Sequence, residues 1–228
     1  MSTTQFTMDL FSRTSNDRDD FALGACNALA ADLVDRWPDW RGRIKGLVLH
    51  GPADCGKSHL AAIWALSSKA ATMTSLNDRS IHQLDEHPHV IWDHPTPSAE
   101  WPDDLMFHFL NRLTELEGSL LILSRMPMAA LSWSLSDVNS RLSGLASAAI
   151  DAPDDDILMA VMQKRADDCG LALDPEVARY IVNRVDRSFA AVNTIIEELN
   201  TITLAEKRKL TTSLARDVLA TSAASGKS

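Results

Sequence analysis

Gly46-Leu47-Val48-Leu49-His50-Gly51-Pro52-Ala53-Asp54-Cys55-Gly56-Lys57-Ser58 is the stretch whose reading decides the fold. The segment Gly46 to His50 is a short apolar run bounded by glycines, the pattern of a buried parallel strand. Beyond Ser58, Leu60, Ile63 and Trp64 recur at helical spacing, so the local order is strand, loop, helix. Gly51 to Ser58 then has the make-up of a phosphate cradle. Gly51 and Gly56 let the backbone curl through Pro52, Ala53, Asp54 and Cys55, so that several N–H groups converge on phosphate oxygens. The helix opening at Lys57 adds its positive dipole end, and His59 continues it. Lys57 is expected to reach the β- and γ-phosphates, and the Ser58 hydroxyl to ligate Mg²⁺. The alternative is a glycine-rich turn that binds nothing.

The rest of the composition narrows the class. A length of 228 residues suits one moderate domain plus a smaller one, and a net charge of −9 argues against broad, sequence-independent binding to nucleic acid. No run is long enough for a membrane span and no basic region precedes an apolar stretch at the start, so a cytoplasmic protein with no membrane partner is expected. Cys26, Cys55 and Cys169 are far apart and lack Cys-x-x-Cys spacing, which points to neither a disulfide frame nor a zinc site.

Taken in order, residues 1–19 are expected to be a flexible polar tail, interrupted by Gln5-Phe6-Thr7-Met8-Asp9-Leu10-Phe11. That segment resembles the short peptides by which bacterial replication proteins dock on the sliding clamp, with the Gln5 amide hydrogen-bonding and Met8, Leu10 and Phe11 filling an apolar pocket. The alternative is an apolar sticker that folds back on its own domain. Leu23, Cys26, Leu29, Ala30, Leu33 and Val34 predict a helix over 21–37, and residues 70–74 a weak strand. Val90-Ile91-Trp92-Asp93 is a strand ending in an acid, where a P-loop fold places the carboxylate that holds the Mg²⁺ water shell. A strand-end turn residue is the alternative for Asp93.

Residues 104–116 predict a helix ended by Gly118, and Leu120 to Leu123 a buried strand that delivers Ser124 to its end. Ser124 is a candidate sensor of the γ-phosphate; the alternative is a solvent-facing loop serine. After Asp151-Ala152-Pro153-Asp154 the pattern becomes purely helical, which sets the expected boundary between an α/β domain of 20–152 and a helical lid of 153–228. Asp174 and Pro175 predict the start of one lid helix, and Phe189 to Ile202 give the clearest helical periodicity in the chain.

Leu23-Gly24-x-x-Asn27, the loop continued as His59-Leu60, Asn139-Ser140-Arg141-Leu142 and the small helical lid together resemble the AAA+ module of the replication initiator DnaA. The resemblance is closer to the family of its shortened homologue, the DnaA regulatory inactivator Hda, including the alphaproteobacterial type, and spans roughly 21–219. It implies a P-loop AAA+ α/β fold, a three-layer parallel sheet with a small C-terminal all-helical lid, holding ADP or ATP with Mg²⁺, and places residues 23–27 beside the adenine. It also implies a sliding-clamp peptide at Gln5 to Phe11, DnaA and the DNA polymerase sliding clamp as partners, and a homo-oligomer as one possible state. Arg141, which without the resemblance reads as an ordinary surface salt bridge, would then be the arginine finger that completes the nucleotide site of ATP-bound DnaA, a role suited to a permanently charged bidentate group. The chain stops at the lid, so a basic helix-turn-helix and sequence-specific duplex recognition are not expected.

Three residues or segments depart from the family pattern. His94 stands where active AAA+ ATPases carry a second acid, and a neutral imidazole replaces it poorly. The sensor arginine position of the family falls on Ala190, so that either Arg187 is the substitute or phosphate sensing is lost. The polar stretch between the second and third strands is also short. Slow or absent hydrolysis by the chain itself is therefore expected, and the leading reading is a clamp-bound negative regulator of replication initiation that stimulates ATP hydrolysis on DnaA. An autonomous helicase-loader-like ATPase on single-stranded DNA is the main alternative, opposed by the acidic balance and His94. A P-loop small-molecule kinase is a third, ill suited to the helical lid.

Overall fold

The computed structural model describes Arg18 and residues 21–225, so Gln5, Met8, Leu10 and Phe11 lie outside the described residues. Contacts divide the chain into two compact units. One comprises residues 31–50 and 57–148 with Arg18 and Phe21; the other comprises 22–30, 51–56 and everything from Ala149 onward. Among the described residues, no helix is long and apolar enough to cross a membrane.

The first unit is built on strands β1 (Lys45–His50), β2 (Ala71–Met73), β3 (His89–Asp93), β4 (Ser119–Ser124) and β5 (Ala146–Ala149), in the order β2-β3-β4-β1-β5. β1 pairs with β4, β4 with β3, and β3 with β2, all parallel. Every residue of β4 and the middle of β1 are buried. Parallel strands covered on both faces must be continuously apolar, which is why Leu120 to Leu123 and Leu47 to Leu49 do not alternate with polar residues. Helices α1 (Ala28–Asp35), α2 (Lys57–Ser68), α3 (Asp78–Gln83), α4 (Asp103–Glu115) and α5 (Ser136–Ser143) complete the α/β elements. The core joins Trp92, Trp101, Met106, Phe109, Leu110 and Leu113 to the sheet, with the Trp92 and Trp101 rings edge to face at 5.2 Å. All six tryptophans of the chain belong to this unit.

Two sequence expectations change here, and one strand is added. The helix expected over 21–37 is confined to Ala28–Asp35, because Asn27 turns the chain before it. Asn27 is buried; its Oδ1 accepts from the Gly24 N–H at 2.9 Å and its Nδ2 donates to the Ala22 carbonyl at 2.9 Å. As a result Leu23 and Leu29 are exposed and Ala30, Ala31 and Val34 face inward. The helix expected to end on Gly118 is closed by Glu117, which adopts the left-handed φ of 51°. Gly118 serves close approach instead, since a Cβ there would lie 2.2 Å from the Pro88 carbonyl oxygen. β5 was invisible in the sequence, because Ala-Ser-Ala-Ala has neither branched nor aromatic residues to signal a strand.

In the second unit, α6 (Asp155–Asp168), α7 (Pro175–Val182), α8 (Phe189–Glu206) and α9 (Thr212–Ser225) close around Leu158, Met162, Ile181, Val192, Ile196, Leu199 and Leu214. The starts are fixed by side-chain caps. Asp154 accepts from the Ile157 N–H, Asp174 from the Glu176 N–H with Pro175 at the first helical position, and Ser188 from the Ala191 N–H.

Candidate nucleotide site

The loop after β1 reverses direction through three residues with positive φ: Gly51 at 156°, Asp54 at 56° and Gly56 at 102°. Glycine at 51 is required by space as well as conformation, because a Cβ would sit 2.0 Å from the Ile150 carbonyl oxygen and 3.1 Å from Cys55 Sγ. Cys55 is buried under the loop, while Pro52, Ala53, Asp54 and Ser58 are exposed. Lys57 opens α2 and is only 4% exposed. His59 follows with its ring edge to face against Phe21 at 5.3 Å. A glycine-lined bend, a nearly buried lysine and an exposed serine at a helix start fit the phosphates and Mg²⁺ of a nucleotide.

Sheet register brings the remaining candidates to the same strand ends. His50 is opposite Ser124, and Asp93 is opposite Leu123 on the other edge of β4. The Asp93 side chain is 22% exposed, accessible enough to meet a hydrated cation. His94 adopts a left-handed φ of 50° and donates its N–H to the Leu123 carbonyl at 2.9 Å. Its Nε2 lies 3.6 Å from Asp93 Oδ1, too long for a hydrogen bond. Ser124 is buried rather than a solvent-facing loop residue, and its Oγ accepts from the Met126 N–H at 3.2 Å.

Arg141 is held inside its own unit. Its Nη1 donates to Asn111 Oδ1 at 2.6 Å, its Nε lies 2.5 Å from Asp137 Oδ2, and its Cζ stands 5.1 Å from the centre of the Phe107 ring. Only 11% of the side chain is exposed. Asn139, two residues earlier, explains why the helix sits there: Nδ2 donates to the Trp133 and Leu135 carbonyls, and Oδ1 accepts from the Trp133 N–H. Arg187 is 64% exposed and pairs with Asp155 at 3.0 Å, an exposed contact of little energetic weight. The Cys26 thiol is pushed up by burial and then by the Asp154 carboxylate, which makes it a poor nucleophile.

Sequence reading missed the set that holds Arg141. Asp137 was recoverable, because it precedes Arg141 by one helical turn in α5. Asn111 and Phe107 come from α4 and carried no local signal. The left-handed Asp54 was equally silent, since an aspartate there reads as an ordinary loop residue.

A parallel sheet carries a glycine-lined loop after its first strand and an acid at the end of its third, and the residues from Asp155 onward form helices alone. Residues 154–219 match the model of the Hda lid domain. The fold of domain III of the Thermotoga maritima replication initiation protein DnaA superposes with a TM-score of 0.73 at 16% identity, over 91% of this chain and 96% of that one. AMPPCP-bound DnaA from Aquifex aeolicus matches at 0.61 and 17% identity, over 79% of this chain and 63% of that one. Thermotoga maritima RuvB matches at 0.66 and 13% identity, over 86% and 66%. The chain therefore has the fold of DnaA domain III, and its residues 154–219 are similar to the Hda lid domain.

Proposed function

We propose that this protein is a DnaA-related regulator that lowers replication initiation by stimulating ATP hydrolysis on DnaA. The observation that supports this most directly is the Hda-type lid at residues 154–219 following a phosphate loop and a strand-end Asp93. In this reading the loop Gly51 to Gly56, Lys57 and Ser58 hold an adenine nucleotide, and Ser58 and Asp93 hold its Mg²⁺. The bound nucleotide supplies a fixed ligand that orders the loop. With His94 in place of a second acid, water next to Asp93 lacks a carboxylate to take its proton, so the chain turns over slowly or not at all.

Arg141 acts in trans. Its guanidinium exchanges Asp137 and Asn111 for phosphate oxygens of ATP on DnaA, where a doubly charged γ-phosphate is a stronger partner than one half-exposed carboxylate. Gln5 to Phe11 tether the protein to the sliding clamp and raise its effective concentration near DnaA. Hydrolysis of DnaA-bound ATP in the presence of DNA-loaded clamp tests the reading. The intact chain is expected to stimulate it, while Arg141→Ala and removal of the first dozen residues each abolish most of the gain. Equal activity of both variants would overturn the proposal. Turnover by the isolated chain that rises with single-stranded DNA would favour the motor reading instead.

A further inference from the structure

His94 holds a left-handed φ of 50°, uncommon for a residue with a Cβ, and its N–H keeps the turn in place by donating to the Leu123 carbonyl at 2.9 Å. With the chain turned this way, His94 Nε2 stands 3.6 Å from Asp93 Oδ1. That separation is too long for a hydrogen bond and close to the spacing of two donors on one metal ion. With bonds of about 2.1 Å, ligands at a tetrahedral angle lie about 3.4 Å apart, and ligands at a right angle about 3.0 Å apart. Both side chains reach solvent, His94 at 43% and Asp93 at 22% exposure, so a small rotation closes the remaining gap. The pair sits at the strand end where the nucleotide's cation belongs.

We propose that Asp93 and His94 together form a cation position that prefers a first-row transition ion with affinity for nitrogen, of the class of Co²⁺, over Mg²⁺. This rests on the reading of the loop and Asp93 as a nucleotide site, and it names the class of cation that the site selects. Mg²⁺ is a hard ion that takes oxygen donors and sheds its water reluctantly, so an imidazole adds nothing to its binding. Imidazole nitrogen suits the transition ions instead, and affinity for a mixed nitrogen and oxygen site rises from Mn²⁺ to Co²⁺. A second carboxylate at this place would have kept the site hard; the histidine softens it. Among the described residues no third His, Cys, Asp or Glu joins the pair to complete a metal site. The remaining positions therefore fall to the exposed Ser58 hydroxyl, phosphate oxygens and water, which ties the preference to bound nucleotide.

The test is calorimetric titration of ADP into the full-length chain with Mg²⁺, Mn²⁺ or Co²⁺ in excess, set beside His94→Asn. Asparagine tolerates the left-handed φ and offers an oxygen in place of the ring nitrogen. The nucleotide's own preference among the ions is common to both chains and cancels in the comparison. The gain in ADP affinity on going from Mg²⁺ to Co²⁺ is expected to be about tenfold larger in the native chain, with Mn²⁺ in between. X-ray absorption at the cobalt edge of the Co²⁺·ADP complex is expected to show imidazole-ring scattering that His94→Asn removes. His94→Gly, unstrained at that φ, is expected to match His94→Asn in both measurements. Equal gains in the native chain and the two variants, or imidazole scattering that survives in them, would overturn the proposal and leave the nucleotide site standing. Failure of the native chain to bind ADP with any of these ions would overturn the nucleotide reading and the proposal with it.

Discussion

Arg141 Nη1 and Asn111 Oδ1 meet at 2.6 Å, joining α5 to α4 through a side chain that is 89% withdrawn from solvent by the measure of its 11% exposure. The contact is intramolecular, and it competes with any role for the guanidinium outside the chain. Asp137→Asn removes the charged competitor and keeps the shape. Because Asp137 is half-exposed, the pair is worth at most about 1 kcal/mol, so stimulation of DnaA-bound ATP hydrolysis is expected to rise up to about fivefold. Unchanged or lower stimulation in a steady-state phosphate-release assay would contradict the exchange of partners.

Arg141→Lys separates charge from shape. Lysine keeps the positive charge but loses the planar fork that serves Asn111, Asp137 and the Phe107 face together. It is expected to stimulate no better than Arg141→Ala and to lower stability by about 1–2 kcal/mol, read by denaturant titration.

Lys57→Ala is expected to weaken nucleotide binding by roughly tenfold to a hundredfold, the effect of losing a charge-assisted contact of about 1.5–3 kcal/mol. Calorimetric titration with ADP and ATP checks it. The circular dichroism spectrum is expected to stay unchanged, since α2 keeps Leu60, Ala61, Ile63 and Trp64 in the core.

Gly51→Ala tests whether the loop's close approach is obligatory. Both the φ of 156° and the 2.0 Å approach to the Ile150 carbonyl oppose a methyl group, so a loss of about 2–4 kcal/mol is expected with nucleotide binding lost as well. A variant that melts and binds as the native chain does would show that the loop adapts.

His89 gives a pH dependence. Burial first, and then the charge of Lys45, hold its imidazole below the usual histidine range, and its Nδ1 has no partner among the described residues. The unfolded chain therefore binds more protons than the folded one as pH falls below about 6.5, and stability declines in that direction. The His89→Phe chain is expected to lose part of this acid sensitivity, measured as the change in denaturation midpoint between neutral and mildly acidic buffer.

Legibility followed how local each signal was. The strand Leu47 to Leu49, the phosphate loop and the cap Asp174 are short-range features, and each stood where its residue types required. β5 was hidden because it depends on a tertiary partner, the pairing beside β1, and the true start of α1 because the local turn that Asn27 makes with Ala22 and Gly24 lies within an apolar spacing that reads as continuous helix. The site divided in the same way. Lys57, Ser58 and Asp93 are placed by strand and helix ends, whereas the environment of Arg141 is assembled from a second helix that no spacing rule connects to it.

The placement of every tryptophan in the α/β unit, with Tyr180 the one tyrosine and located on α7, gives the molecule a natural optical division. Indole emission reports on melting around the sheet while remaining blind to the lid. The phenol at Tyr180, stacked under the Arg184 guanidinium at 3.8 Å, provides a separate absorbance handle on the helical bundle. Thermal scans followed at the two chromophores can thus assign a ligand's protection to one unit or the other without introducing any label.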